Sequence, residues 1–189
     1  MTIFLVRHGE TEWNRARRYQ GWSDSPLTED GVAQAEAIGH RLRTLPEAAA
    51  AEIVASPTGR AQRTAEIIAQ CLGRTLPLRF DERLREISIG SWDGLDRKDI
   101  RSRMGEKFAE FEWYFRTPDG ESYDAFAGRI AAWMREVGDG PLIAVSHGVV
   151  TRVLRGLYAG LPSAAALRLP VPQDRIFRLS GGMIEEIAA

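Results

Sequence analysis

The sequence predicts an α/β fold. Three observations carry that expectation: short apolar runs of strand length, helical periodicity in the segments that follow them, and capping or turn residues at the junctions. The runs at 3–6, 53–55 and 142–145 read Ile-Phe-Leu-Val, Ile-Val-Ala and Leu-Ile-Ala-Val, with no polar alternation. Strands of that kind are buried on both faces, as in a sheet covered by helices.

Along the chain, the first run leads towards a helix with Thr28 as N-cap and Glu29 and Asp30 in its first turn, where negative charge suits the helix dipole. Val32, Ala35, Gly39 and Leu42 recur at helical spacing and are expected to form its inner face. The second run is followed by a helix beginning near Pro57, with Ala61, Ala65, Ile68 and Leu72 inward and a stop at Gly73. After the third run, Val149, Val150, Val153, Leu154 and Leu157 mark another helix. Arg175-Ile176-Phe177-Arg178-Leu179 alternates like an edge strand, and Gly181-Gly182 can turn the chain into a final short strand. Residues 81–122 are less regular and contain Phe108, Phe111, Trp113, Tyr114 and Phe115. They read as an excursion or lid over a site, within one domain spanning 1–189. The aromatic group is expected mainly in the core, and Trp92 and Trp133 are read as structural.

Composition limits the function classes. A chain of 189 residues with 44% hydrophobic content can bury a full core. With 25 Lys and Arg against 26 Asp and Glu, the net charge of −1 gives no general attraction for nucleic acid or an anionic membrane, so any affinity for anions must be local. No apolar run approaches the ~20 residues that span a bilayer, and Met1 leads into 3–6 without a basic leader or a cleavage site, so a cytoplasmic location is expected. Cys71 is the only cysteine, which excludes an internal disulfide and a thiolate zinc cage; its apolar neighbours suggest a buried filler.

The three apolar runs end in related chemistry. The first exits through Arg7-His8-Gly9-Glu10-Thr11, the second through Ser56-Pro57 towards Arg60, and the third through Ser146-His147-Gly148. Ligands of open α/β sheets bind beyond the carboxyl ends of the strands, so all three exits can face one pocket. Of three histidines, His8 and His147 share the context of apolar strand, histidine, glycine, while His40 reads as an ordinary helix-end residue. A phosphomonoester carries close to two negative charges at neutral pH, and planar guanidinium groups such as Arg7 and Arg60 match its oxygens. A neutral imidazole attacks phosphorus when its other ring nitrogen is held by an acceptor such as a backbone carbonyl. His8 fits that part, and Gly9 allows the backbone a close approach. The departing alkoxide needs a proton, which makes a carboxylic acid the third requirement.

These motifs resemble those of the histidine phosphatase superfamily, which includes the cofactor-dependent phosphoglycerate mutases. Arg7-His8-Gly9-Glu10-Thr11 with Trp13 and Asn14 is similar to the family's opening motif, continued by the run from Gln20 and Gly21 to Thr28. Ser56-Pro57, Arg60-Ala61 and Thr64-Ala65 resemble the second motif, and the run from Asp81 to Glu86 with Gly90, Trp92 and Gly94 the third. Pro118-Asp119-Gly120-Glu121-Ser122 and Ser146-His147-Gly148 complete the set. Within the superfamily the chain looks most like the PhoE-type broad-specificity phosphatases.

The resemblance implies a three-layer α/β/α sandwich with a mostly parallel sheet. It implies a phosphohistidine on His8, phosphate oxygens clamped by Arg7, Arg60 and His147, a contact from Asn14, and Glu86 as general acid. That last role requires a protonated carboxyl near neutral pH, which the repulsion of a bound phosphate dianion can supply. Gln20, Gly21 and Gly148 are expected to border the substrate. Glu10 is expected to support the site, and Arg15, Arg17 and Arg18 to form a solvated face able to steer anions. No metal and no cofactor is implied, and the expected partners are small phosphorylated metabolites; oligomeric state is not legible.

Three competing readings differ in observable ways. A mutase returns the phosphoryl group to a second hydroxyl, but the mutases resembling this chain usually carry a small hydroxyl residue where Gln20 stands, and paired arginines where Arg116 is followed by Thr117. A phosphate-binding module without turnover conflicts with the intact set of Arg7, His8, Arg60, Glu86 and His147. A metal site is the third, because His8, His147 and Glu86 are competent ligands.

Overall fold

The computed structural model of the chain describes residues 1–74, 78–105 and 113–189. Among them a mixed sheet of six strands has the order β3-β2-β4-β1-β5-β6. The strands are β1 (Thr2–Arg7), β2 (Glu52–Ala55), β3 (Arg79–Phe80), β4 (Pro141–Ser146), β5 (Arg175–Ser180) and β6 (Met183–Ala188). The pairs β1·β4, β2·β4 and β2·β3 are parallel, whereas β5 runs antiparallel to both β1 and β6.

The helices are α1 (Glu12–Arg15), α2 (Glu29–Arg43), α3 (Pro46–Ala49), α4 (Gly59–Cys71), α5 (Arg97–Met104), α6 (Tyr123–Glu136), α7 (Gly148–Tyr158) and α8 (Ser163–Ala166). Successive strand residues point to opposite faces, and both faces are apolar in the central strands. Ile3 and Leu5 of β1 join Leu142 and Ala144 of β4 in a cluster with Phe126, Ile130 and Trp133 of α6 and Val150 and Leu154 of α7. Phe4, Val6, Ile143 and Val145 face the other way, onto Ile38 and Leu42 of α2 and Ala61, Ala65 and Ile68 of α4. The result is a three-layer α/β/α sandwich with a mostly parallel sheet.

Helix signals read from the sequence act as expected at α2: the Thr28 hydroxyl accepts from the Gly31 amide, and Ala35, Gly39 and Leu42 are buried. Val32 is only half-buried, and Ile38 takes the remaining core position. The second helix, expected near Pro57, begins at Gly59 with Thr58 as its N-cap. The reading of 175–179 as an edge strand is corrected, because β6 covers the outer side of β5 and is itself the edge. Cys71 is half-buried, less enclosed than the filler expected, with its thiol against the Glu36 carbonyl at 3.8 Å and pushed up by burial. His40 is exposed in the last turn of α2.

In 81–122, 3-10 turns at Glu82–Leu84, Gly90–Trp92 and Trp113–Arg116 flank α5. Trp92, Trp113 and Ile100 form a small core of their own, and Phe115 packs against Phe126. Phe108 and Phe111 lie outside the described residues. Trp133 is buried in the main core, as its structural reading required.

Candidate active site

The carboxyl ends of β1 and β4 lie side by side, with Arg7 opposite Ser146 in the ladder. The His8 amide then donates to the Ser146 carbonyl at 2.9 Å, and the Ser56 amide to the Val145 carbonyl at 2.9 Å. Three exits distant in sequence are thereby held together by backbone bonds. His8 and His147 stand with ring centroids 5.1 Å apart.

His8 is 4% exposed, and its Nδ1 lies 2.8 Å from the Gly9 carbonyl oxygen. A carbonyl only accepts, so Nδ1 carries the hydrogen and Nε2 keeps its lone pair in the neutral ring. Burial, then the positive charges of Arg60 and Arg7, hold the imidazole well below its ordinary value of 6.5. The neutral, tautomer-locked ring is the nucleophilic form. Gly9 permits this arrangement because a side chain there would run into the backbone of Gly31.

His147 is fully buried, with Nε2 2.8 Å from the Ser56 hydroxyl. Burial followed by Arg60, His8 and Arg7 lowers it well below 6.5 as well. Arg60 is 1% exposed. Its Nη1 donates to the Ser23 carbonyl (2.8 Å) and to Asp24 (3.0 Å), and its Nη2 to the Gly21 carbonyl (2.7 Å). Arg7 donates from Nη1 to the Val171 carbonyl at 2.7 Å. Neither arginine therefore offers a full fork. Among the described residues, four buried side-chain nitrogens lack a hydrogen-bond partner, and three of them are Arg7 Nε, Arg60 Nε and His147 Nδ1. Leaving a buried polar nitrogen unsatisfied costs about 1–3 kcal/mol, and these three belong to the segments that meet at His8.

Glu86 is 7% exposed and sits at the N-terminus of α7, accepting from the Val149 amide (3.0 Å), the Val150 amide (3.3 Å) and its neighbour Ile87 (3.0 Å). A Cβ added at Gly148 would lie 3.7 Å from both Arg7 Nε and Glu86 Oε2, which places that glycine between the cation and the acid. Arg129 supports the segment from behind, donating to the Glu86 carbonyl at 3.0 Å while paired with Glu121 at 2.8 Å.

A cavity of about 370 Å³ opens over these groups. Arg7, His8, Asn14, Gln20, Glu86 and Gly148 line it, together with Tyr19, Tyr114 and the cations Arg17, Arg18, Arg97 and Arg152. Glu86 is the only carboxylate among its described lining residues. Arg60, His147 and Gly21 are not on its wall: the first two are buried at the level of His8, and Gly21 anchors Arg60. Gly21 must be small, since a Cβ there would lie 2.7 Å from the Ile87 carbonyl. Gln20 is held between the Thr11 hydroxyl (2.7 Å) and Ser25 (2.8 Å). Glu10 accepts from the Thr28 hydroxyl at 2.8 Å, a supporting contact.

Sequence reasoning assigned no part to Val171 and Gln173, whose contacts with Arg7, His8 and Asn14 span 159 to 165 residues. Nor did it assign a part to Ser56 beyond its motif, to Arg129, or to Arg97 and Arg152. Among the described residues, no cluster of three or more His, Cys, Asp or Glu has metal-site geometry, and no helix is long and apolar enough to cross a membrane.

Comparison with known proteins shows the family. Residues 3–181 match the family model described as the histidine phosphatase superfamily (branch 1). A relative from Citrobacter koseri, named a probable phosphoglycerate mutase GpmB, is 40% identical over 95% of this chain and 84% of its own. The solved structure of Bacillus stearothermophilus YhfR superposes with a TM-score of 0.83 at 34% identity, covering 99% of this chain and 95% of that one. The mycobacterial glucosyl-3-phosphoglycerate phosphatase Rv2419c, solved with VO3, gives 0.79 at 31% identity, covering 100% and 96%. With the paired histidines, the buried arginines and the matched span in agreement, the chain belongs to the histidine phosphatase superfamily.

Proposed function

We propose that this protein is a metal-independent phosphatase that hydrolyses small phosphomonoesters through a phosphohistidine on His8, with the broad specificity of the PhoE-type enzymes. The observation that carries the reading is the set of unpartnered nitrogens of Arg7, Arg60 and His147 around a neutral, tautomer-fixed His8. The ester's phosphoryl oxygens accept from the two guanidinium nitrogens, and from His147 Nδ1 in the tautomer that carries its hydrogen there while Nε2 accepts from Ser56. His8 Nε2 attacks phosphorus as the ester P–O bond breaks, and Glu86 transfers its proton to the departing oxygen. Water then attacks the phosphohistidine, Glu86 takes its proton, and the N–P bond breaks to release inorganic phosphate and neutral His8. Attack, charge neutralisation and proton transfer are all assigned to side chains, so no metal has a part.

The site's inventory of charge favours small anionic substrates, because five arginines and one carboxylate stand in the described lining. Tyr19 and Tyr114 add aromatic surface for an apolar or aryl group. The excursion at 81–122 contributes Glu86, Ile87, Ile89, Arg97 and Tyr114 to the cavity, which suits a lid.

The name of the Citrobacter relative favours a second reading, phosphoryl transfer between the hydroxyls of a phosphoglycerate. That reaction needs a phosphohistidine shielded from water during substrate exchange, whereas Arg17 and Arg18 on the cavity wall are exposed. The hydrolase of the mycobacterial relative is named for a phosphoglycerate derivative and supports hydrolysis. Incubation with 3-phosphoglycerate separates the two: free phosphate without isomer is expected, and isomer formation outpacing phosphate release would establish the mutase. A phosphorylated metabolite panel scored by kcat/KM then ranks substrates.

A further inference from the structure

Gln173 belongs to none of the motifs that point to phosphoryl chemistry, and its side chain is bonded to two residues that those motifs supply. Its Nε2 donates to the His8 carbonyl at 3.2 Å and to Asn14 Oδ1 at 3.1 Å. The orientation of both amides is decided by backbone groups that can play one part only. The Thr11 amide donates, so the Asn14 atom 3.2 Å from it is the oxygen. The His8 carbonyl accepts, so the Gln173 atom facing it is the NH2. Asn14 Oδ1 is thereby occupied from two sides, and Nδ2 is the end of the side chain left to serve a ligand in the cavity that Asn14 lines.

The strap that carries Gln173 is itself anchored by arginines. The Leu169 carbonyl accepts from Arg152 Nε at 2.8 Å, the Pro170 carbonyl from Arg155, and the Val171 carbonyl from Arg7 Nη1 at 2.7 Å. Arg155, buried, lies over the Phe177 ring at 3.8 Å and ties the strap to β5. Pro170 and Pro172 restrict the backbone further. One short segment thus holds both Arg7 and, through Gln173, Asn14.

We infer that Gln173 is a positioning residue that locks the Asn14 amide with Nδ2 towards the transferring phosphoryl group. Without Gln173 only the 3.2 Å bond from the Thr11 amide holds the Asn14 oxygen, and an asparagine that rotates out of it presents Oδ1, an acceptor that repels phosphate oxygens. The inference rests on the phosphohistidine reading of the site.

Kinetics with para-nitrophenyl phosphate test it. Gln173→Met keeps the length of the side chain and removes both donors; Gln173→Glu keeps its shape and sets an acceptor against two acceptors. Gln173→Met is expected to lower kcat/KM about 10-fold, the scale of one hydrogen bond to a charged group, and Gln173→Glu to lower it further. Because Gln173 acts through Asn14, the double variant Gln173→Met with Asn14→Ala should fall within about two-fold of Asn14→Ala alone. Losses that multiply in the double variant, or wild-type kinetics in either Gln173 variant, overturn the inference. Should Gln173→Met fail to fold, the same cycle is run with Gln173→Glu and decides in the same way. A wild-type protein that forms no acid-labile, His8-dependent phosphoprotein refutes the underlying reading, whereas phosphoprotein formation with a multiplicative cycle refutes the role of Gln173 alone.

Discussion

Replacing Glu86 by glutamine tests the acid role with two separable magnitudes. The carboxylate accepts the Val149 amide on Oε2 and the Ile87 and Val150 amides on Oε1. A glutamine has one oxygen, so its NH2 must face at least one of these donors, which costs about 1–3 kcal/mol as an unmade buried hydrogen bond. For a chain of this size each kcal/mol moves Tm by roughly 2–4 °C, so a melting curve reports that structural part. The chemical part is the lost proton, worth about 10²- to 10⁴-fold in rate when the leaving group is a poor one. Glycerol phosphate, whose alkoxide must be protonated, should therefore lose 10²-fold or more. Para-nitrophenyl phosphate, which departs as a stabilised phenolate, should lose only the part due to misplaced geometry. Both substrates are assayed on the same folded preparation, and kcat/KM is compared as a ratio. Equal losses on the two esters would refute Glu86 as proton donor and leave it a structural cap of α7.

Three further outcomes are expected. His8 and His147 are held well below 6.5 by burial and nearby arginines, so the unfolded chain takes up protons that the folded state refuses as pH falls. Stability is then present above pH 6.5 and lost below it, with a limiting slope of about 2.7 kcal/mol per pH unit for two groups, and a flat urea-denaturation profile across that window would contradict the assignment. Arg17 has φ +56°, a left-handed conformation that costs an L-residue about 1–2 kcal/mol, so Arg17→Gly should stabilise the protein slightly while raising KM for anionic esters in a salt-dependent way. A lower Tm or an unchanged KM would count against that. Exhaustive chelation should leave para-nitrophenyl phosphate turnover intact, and activity lost to chelation but restored by a divalent ion would overturn the metal-independent mechanism.

Much of the fold was legible because its signals are local. The continuous apolar runs of β1, β2 and β4 announce strands buried on two faces, and Thr28 announces the start of α2. The helix α6 was open to the same reading, with Ser122 as N-cap and Phe126, Ile130 and Trp133 at helical spacing, but its position next to the irregular excursion obscured it. The arginines of β5 suggested an exposed edge; only the pairing with β6 shows that Arg178 lies between Glu47 and Glu185 on a covered strand.

By itself the sequence determined the kinds of groups present: two histidines after apolar strands, arginines at the exits, and a carboxylate in the third motif. Those are chemical identities, and a linear string records them. Only the tertiary structure decided that the Nη atoms of Arg60 are committed to Gly21, Ser23 and Asp24, that Ser56 holds His147, and that Gln173 reaches Asn14 across 159 residues. Hydrogen-bond partnership and desolvation depend on distances between segments, which close only when the sheet brings the strand ends together. The same distances make His8 neutral, because its low proton affinity comes from burial and from charges carried by other parts of the chain.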